Sequence, residues 1–262
     1  MPTVSTQYQQ RFGGIDRLYG NGALEKLASA HFTVIGIGGV GTWAAEALAR
    51  SGVGAITLID MDDICITNTN RQAHTLQQTV GQSKIAVMAQ RLKDINPDII
   101  VHEVEDFLDT ENIAELVTEK MDFVIDAIDT ANAKTALIAW CKRNKMPLIT
   151  IGSAGGKRDP RMITSVDLSR TVNDPMLAKV RNQLRRLHNF TRNTKRKFGI
   201  EAVYSEEQMV YPQANGEVCQ QKSDMADGVK LDCSGGFGAA TMITGSFGFT
   251  AASRAIEKFL AK

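Results

Sequence analysis

The sequence has no C-x-x-C pair; its four cysteines, Cys65, Cys141, Cys219 and Cys233, stand far apart. That spacing argues against a structural zinc of the usual kind and against a secreted disulfide framework. The four histidines are scattered, with no metal or triad spacing among them. The opening MPTVSTQYQQ lacks a basic start followed by an apolar run, so no secretory signal is expected and a reducing cytoplasm fits. Internal repeats and low-complexity tracts are absent. The stretch 234–253 carries no charge and is diluted by five glycines together with serine and threonine. It reads as a buried or subunit-facing glycine-rich helix and not as a bilayer span, so no membrane partner is expected.

What is present is an ordinary globular composition. The 262 residues are 43% hydrophobic and 23% charged, enough to bury a sizeable core. Residues 32–36 form a β-branched apolar run, followed by a glycine turn, a helical pattern over 42–50 and a second apolar run over 55–60. This is a β-α-β unit. Further on, 82–95 and 131–143 read as helices, and 99–104, 122–128 and 147–151 as strands. Strands alternating with helices predict a doubly wound, mostly parallel Rossmann-like α/β sheet, with its ligand at the carboxyl ends of the strands. After 152–156 the pattern loosens. Strands are expected over 162–168 and 208–211, and helices over 175–187 and about 237–260. The division expected is a nucleotide-binding core over 1–156 and a C-terminal α+β extension over 157–262, integrated into one domain.

The motif Gly36-Ile37-Gly38-Gly39-Val40-Gly41 follows a strand and opens a helix, which favours a nucleotide site over a mere tight turn. Asp60 ends the next strand, where a carboxylate accepts from ribose hydroxyls. The glycine motif alone leaves NAD and ATP both open. Downstream lie Asp62, Asn70, Arg71 and Lys84; two cations there suit the charge that develops on a triphosphate leaving group. Asp126 and Asp129 close a strand beside the same edge, a pairing that suits Mg²⁺. Each residue also has a plainer reading. Asp129 or Thr130 could cap a helix, Asp60 and Asp62 could do turn work, and Arg71 and Lys84 could be solvated.

Charge is unevenly spread in the second half. The segment 179–197 carries eight basic residues (Lys179, Arg181, Arg185, Arg186, Arg192, Lys195, Arg196 and Lys197) and no acidic one. With 30 basic and 29 acidic residues in all, the rest of the chain holds 22 against 29. A basic stretch on an otherwise acidic protein reads as a phosphate-binding patch; the alternative is a solvated helix face followed by a mobile loop.

In order, GIGGVG, LIDMD, NTNRQ, the lysine of GQSK and DAID resemble the superfamily of ubiquitin-activating enzymes and their bacterial relatives, over roughly residues 11–156. The resemblance implies that Asp60 binds ribose, that Asn70, Arg71 and Lys84 bind the phosphates of ATP, and that Asp129 holds magnesium. It also implies a homodimer in which Arg17, or else Arg11, completes the site from the partner subunit. The motifs QRFGG, RLYG, DPMLAKVR, VYPQ and DCSGGFGAATMITGSFGF, over nearly the whole chain, resemble the family of bacterial tRNA threonylcarbamoyladenosine dehydratases within that superfamily. This implies tRNA as partner and ATP-driven closure of the threonylcarbamoyl group through its carboxylate, with the basic run as docking segment. A second expectation is an activator of a ubiquitin-like sulfur carrier that hands sulfur to Cys233, which the missing zinc cysteines weigh against. A third is a non-catalytic scaffold that binds nucleotide or a cysteine desulfurase and its sulfur acceptor. Cys219 and Cys233 read as packing residues more than as nucleophiles, because nothing places a base beside either thiol.

Overall fold

Chain reversals by glycine and proline cut the sequence into short segments whose apolar spacing decides their form. The computed structural model describes residues 4–213, 215–220 and 237–261. Three short helices, α1 (Thr6–Phe12), α2 (Gly14–Tyr19) and α3 (Ala23–Ala28), come first. Then follow β1 (His31–Ile35), α4 (Gly41–Arg50), β2 (Ala55–Ile59), α5 (Lys84–Ile95), β3 (Ile100–Val104), α6 (Ile113–Leu116) and β4 (Phe123–Asp126). The chain continues through α7 (Ala131–Arg143), β5 (Leu148–Ile151), β6 (Ile163–Asp167), α8 (Pro175–Leu187) and β7 (Glu201–Ser205). A two-stranded ribbon of β8 (Tyr211–Pro212) and β9 (Val218–Cys219) and the long helix α9 (Thr241–Leu260) complete it.

The main sheet has seven strands in the order β3-β2-β1-β4-β5-β7-β6. All neighbours run parallel except β6 and β7. The sheet therefore takes strands from both halves of the sequence. Its central strands are buried on both faces because each face carries helices. One face is packed by Ala44, Leu48, Met88 and Leu92 of α4 and α5 together with Phe247 and Ala251 of α9. The other is packed by Leu137, Ile138, Leu177 and Leu184 of α7 and α8. Helix α9 lies so close to α4 that a Cβ on Gly248 would come within 2.7 Å of the Val40 carbonyl oxygen, so the glycines of this helix serve close packing.

Two expectations differ from what is found. The segment 208–211 pairs only through Tyr211, whereas β7, read as no element from the sequence, is a core strand. The closing helix begins at Thr241, four residues later than expected. No helix among the described residues is long and apolar enough to cross a membrane.

Candidate active site

Strand order departs in both directions from β1, so a crevice opens above the carboxyl ends of β1, β2 and β4. Ile35 pairs with Ile59 on one side and Asp126 on the other, which brings Gly36, Asp60 and Ala127 to one level. Gly36 has a φ of 87°, and a Cβ there would meet the Ala127 carbonyl oxygen at 2.7 Å. Only glycine fits such a backbone. At Gly41 a Cβ would fall 1.8 Å from the Gly36 carbonyl oxygen, because the loop folds back on itself as α4 begins. The N-cap of α4 is Val40, which supplies no side-chain acceptor, and an uncapped helix start beside a glycine loop suits an anionic ligand.

Asp60 ties this loop to β2. Its Oδ2 accepts from the Ile37 amide at 2.6 Å and its Oδ1 from the Asp62 amide at 2.8 Å. Burial pushes the Asp60 pKa above the usual carboxylate value, against the pull of the Lys84 charge and of these two amides. Each oxygen keeps a lone pair for a hydroxyl group.

The phosphate-facing candidates come from the loop after β2 and from the start of α5. Lys84 is buried and its Nζ meets Asp62 Oδ2 at 2.5 Å. Arg71 Nη1 donates to the Thr67 carbonyl at 2.8 Å and to Asn70 Oδ1 at 3.0 Å. The loop itself is clasped from the far end of the chain. Asn70 Nδ2 donates to the Ala239 carbonyl at 2.7 Å, Thr241 Oγ1 to the Asn70 carbonyl at 2.7 Å, and Thr244 Oγ1 to the Arg71 carbonyl at 3.1 Å. Trp43 Nε1 donates to the same Arg71 carbonyl at 3.1 Å. Trp43, Thr241 and Thr244 are supporting residues that the sequence reading missed. Gln72 is another: it is buried, it lies beside Gly38, and its Oε1 has no hydrogen-bond partner. Its place directly after Arg71 was the available signal.

The two aspartates at and just beyond the end of β4 have different fates. Asp129 is exposed just before α7, on the crevice side. Asp126 corrects the expectation that both face the ligand: its carboxylate is fully buried and pairs with Lys134 Nζ at 2.8 Å. It also accepts from Thr150 Oγ1 at 2.7 Å and from the Ile128 amide at 3.1 Å. A carboxylate so enclosed holds the turn that carries Asp129 and offers nothing to a nucleotide or metal.

The remaining candidates lie away from the crevice. Helices α1 to α3 close the opposite edge of the sheet, where Tyr8 donates to the Gly52 carbonyl at 2.7 Å and the Gly54 amide to Leu27 at 2.9 Å. Arg11 and Arg17 are exposed there, about a strand's length from the crevice of their own chain, roughly 17 Å for five residues. The basic run begins near the crevice, since Asp174 at the start of α8 accepts from the Ser153 amide just after β5 at 2.9 Å. It then descends the flank to the opposite edge. Lys179, Arg186, Arg192, Lys195, Arg196 and Lys197 are exposed. Arg181 and Arg185 are partly turned to structural work: Arg181 bonds the Thr171 hydroxyl, and the Arg185 guanidinium lies 5.2 Å from the centre of the Phe198 ring. Cys219 is half-buried in β9; Cys233 lies outside the described residues.

Comparison with known proteins joins these features. The chain is 52% identical to the tRNA threonylcarbamoyladenosine dehydratase of Escherichia coli K12 over 259 residues, covering 99% of this chain and 97% of that protein. It is 53% identical to the dehydratase of the same name from Haemophilus influenzae, covering 97% of this chain and 95% of that one. A crystal structure of the E. coli dehydratase in complex with ATP superposes with a TM-score of 0.87 at 47% identity, over 99% of this chain and 98% of that one. Residues 12–259 match the ThiF family, and with glycine loop, ribose-side aspartate and cationic loop on one sheet edge, the chain belongs to that family.

Proposed function

We propose that this protein uses ATP to dehydrate N6-threonylcarbamoyladenosine in tRNA, by adenylating the threonyl carboxylate. The observation that carries this reading is the likeness to the E. coli dehydratase, which continues across both halves of the chain at 52% identity. A carboxylate oxygen of the substrate attacks the α-phosphorus of ATP in line, and pyrophosphate leaves with the electron pair of the broken P–O bond. Arg71 and Lys84 stabilise the leaving charge, while Asp60 orients the ribose. The neighbouring carbamoyl group then attacks the activated acyl carbon and AMP departs, so the net change is loss of water. Because that attack is intramolecular, the site has mainly to hold geometry and exclude solvent.

Magnesium takes one or two carboxylates and fills its shell from phosphates and water, and exposed Asp129 at the crevice fits that demand. The ion would neutralise phosphate charge. Arg17 is exposed at the far end of the sheet from the crevice, so as the completing arginine it would act in a second subunit, which a homodimer would supply. Met242 and Phe249, 68% and 50% exposed on α9 near the crevice, are apolar surface for such a partner.

The test is conversion of modified tRNA by the purified protein with Mg-ATP, followed by mass spectrometry of the nucleosides. Arg71→Ala and Asp129→Ala should each slow product formation on the order of a hundredfold or more with unchanged circular dichroism, and calorimetry should show binding of Mg-ATP but not of NAD. Wild-type protein that leaves the nucleoside intact, or variants of wild-type rate, would overturn the reading.

A further inference from the structure

The basic run descends away from the crevice, and what it meets at its lower end is a second basic segment that the sequence reading did not single out. Helix α7 ends at the amino edge of the sheet in Lys142 and Arg143, with Lys145 just beyond, and all three are exposed. The Lys142 ammonium lies against the end of the basic run so closely that a Cβ on Gly199 would come within 2.6 Å of its Nζ.

The loop between α8 and β7 is held in place there. Asp167 accepts from the Phe198 amide at 2.9 Å and from the Gly199 amide at 2.7 Å. Arg170 Nη2 donates to the Lys195 carbonyl at 2.9 Å, and Asn193 Oδ1 accepts from the Lys195 amide at 2.9 Å. Phe198 is buried, packed edge-on to Phe190 at 5.1 Å. The four cations of residues 192–197 thus ride on a folded turn.

These charges lack the carboxylate partners that eight other cations of the chain have among the described residues. Elsewhere a carboxylate gathers them: Glu46 pairs with Arg50 and Arg91, and Glu201 with Arg254 and Lys258. Among the described residues, no ion pair involves Lys142, Arg143, Lys145 or any cation of 192–197. Crowding like charges on a protein whose remainder is acidic opposes folding, and a ligand of dense negative charge offsets that cost.

We infer that Lys142, Arg143 and Lys145 join the turn at 192–197 in one composite surface for the phosphate backbone of double-helical RNA. The inference rests on the tRNA reading above and extends it to a segment outside the basic run. A duplex stem is favoured over a single strand because binding of a single strand relies on exposed aromatic rings for base stacking, and Phe198 here is turned inward beneath Arg185. Helix α8, 13 residues long, spans about 20 Å. It separates this surface from the crevice by a distance that an RNA stem bridges, with its reactive end above the sheet.

The test replaces Lys142→Glu, Arg143→Glu and Lys145→Glu together, in full-length protein, and measures binding of unmodified tRNA by filter retention over a salt series. Affinity should fall at least tenfold at low salt, and the slope of log affinity against log salt should flatten by about two, as expected when two to three phosphate contacts are lost. Affinity for Mg-ATP and the circular dichroism spectrum should be unchanged. A companion protein carries Arg192→Glu, Lys195→Glu, Arg196→Glu and Lys197→Glu. If it binds weakly while the α7 variant binds like wild type, the composite surface is wrong and the tRNA reading stands. A single-stranded RNA of the same length, bound by wild type as tightly as tRNA and weakened equally by the α7 changes, would overturn the choice of a duplex. Failure of wild-type protein to bind or convert tRNA would instead remove the reading beneath the inference.

Discussion

The crevice above the sheet and the flank below α8 both collect charge, but they hold it in opposite ways. At the crevice the charged groups have internal partners: Lys84 with Asp62, Asp60 with two amides, Arg71 with its own loop, and Asp126 with Lys134. A ligand entering there exchanges the partners of Lys84, Asp60 and Arg71 for its own while the Asp126–Lys134 pair stays enclosed, so binding is governed by geometry and desolvation. On the flank, cations such as Arg192 and Lys195 stand exposed without a carboxylate among the described residues. A polyanion there displaces only counterions, so binding is governed by number of contacts and by salt. Substitutions should therefore act through stability and rate on one side and through salt-dependent affinity on the other.

The largest effect expected is at Asp126. Removing its carboxylate by Asp126→Ala leaves Lys134 fully buried without its ion-pair partner, which typically costs about 3–5 kcal/mol, a large share of a stability of about 5–15 kcal/mol. Replacing both partners, Asp126→Val with Lys134→Met, should recover most of that loss, because a well-packed apolar pair is often neutral. Denaturant unfolding of the two variants decides it. An Asp126→Ala protein as stable as wild type would show that the crevice does not depend on its internal pairing.

The next effect is a pH dependence on the crevice side. His74 is 1% exposed, and neither ring nitrogen has a hydrogen-bond partner. Burial, together with the charges of Lys84 and Arg91, lowers its pKa to about 4. An unfolded chain protonates this ring near pH 6.5, so the neutral ring stabilises the fold fully above that pH. The contribution is lost as pH falls from about 6.5 towards 4, by about 3 kcal/mol if the whole shift is expressed. Stability measured across that window should fall less steeply in His74→Leu than in wild type. Parallel curves would assign the acid sensitivity elsewhere.

How much of this was legible in the sequence follows from the range of the interactions. The β1–α4–β2 unit declares itself because strand and helix periods meet at a glycine fingerprint within thirty or so residues. The bounds of α8 were readable from Pro175 at its first position and Asp174 before it, whose Oδ1 accepts from the Leu177 amide at 2.9 Å. Strand β7 was missed because EAVYS is short and enclosed by β5 and β6, where alternation disappears. The apolar QMVY looked better, yet Val210 spends its amide on the Gly156 carbonyl at 2.9 Å and only Tyr211 enters a ladder. Helices α1 to α3 have six or seven residues each, too few for a helical period to emerge. Asp126 and Asp129 look equivalent in FVIDAID. What separates them is Lys134, a lysine on the apolar face of α7 whose position already called for a buried partner. The clasp of Asn70 and Arg71 by α9 joins residues about 170 apart in the chain, beyond any local pattern.

The smallest effect, and the one that divides the basic run within itself, concerns Arg181 against Arg192. Arg181 is half-buried on α8 and donates to the hydroxyl of buried Thr171, and burial lowers its pKa. Arg192 is exposed on the turn beyond the helix. Arg181→Ala should therefore cost about 1–2 kcal/mol, the worth of a hydrogen bond from a charged donor together with lost packing of the side-chain stem. Arg192→Ala should change stability by no more than about 0.5 kcal/mol, as surface substitutions usually do. For tRNA binding the ranking should reverse: Arg192→Ala should weaken affinity and shave the salt slope by close to one phosphate contact, while Arg181→Ala should leave the slope near that of wild type. Urea midpoints at constant m give the first pair of numbers and filter retention across salt the second. If Arg181→Ala flattens the slope as much as Arg192→Ala does, the half-buried part of the run also touches RNA, and the division between a structural upper flank and an RNA-facing lower one is lost.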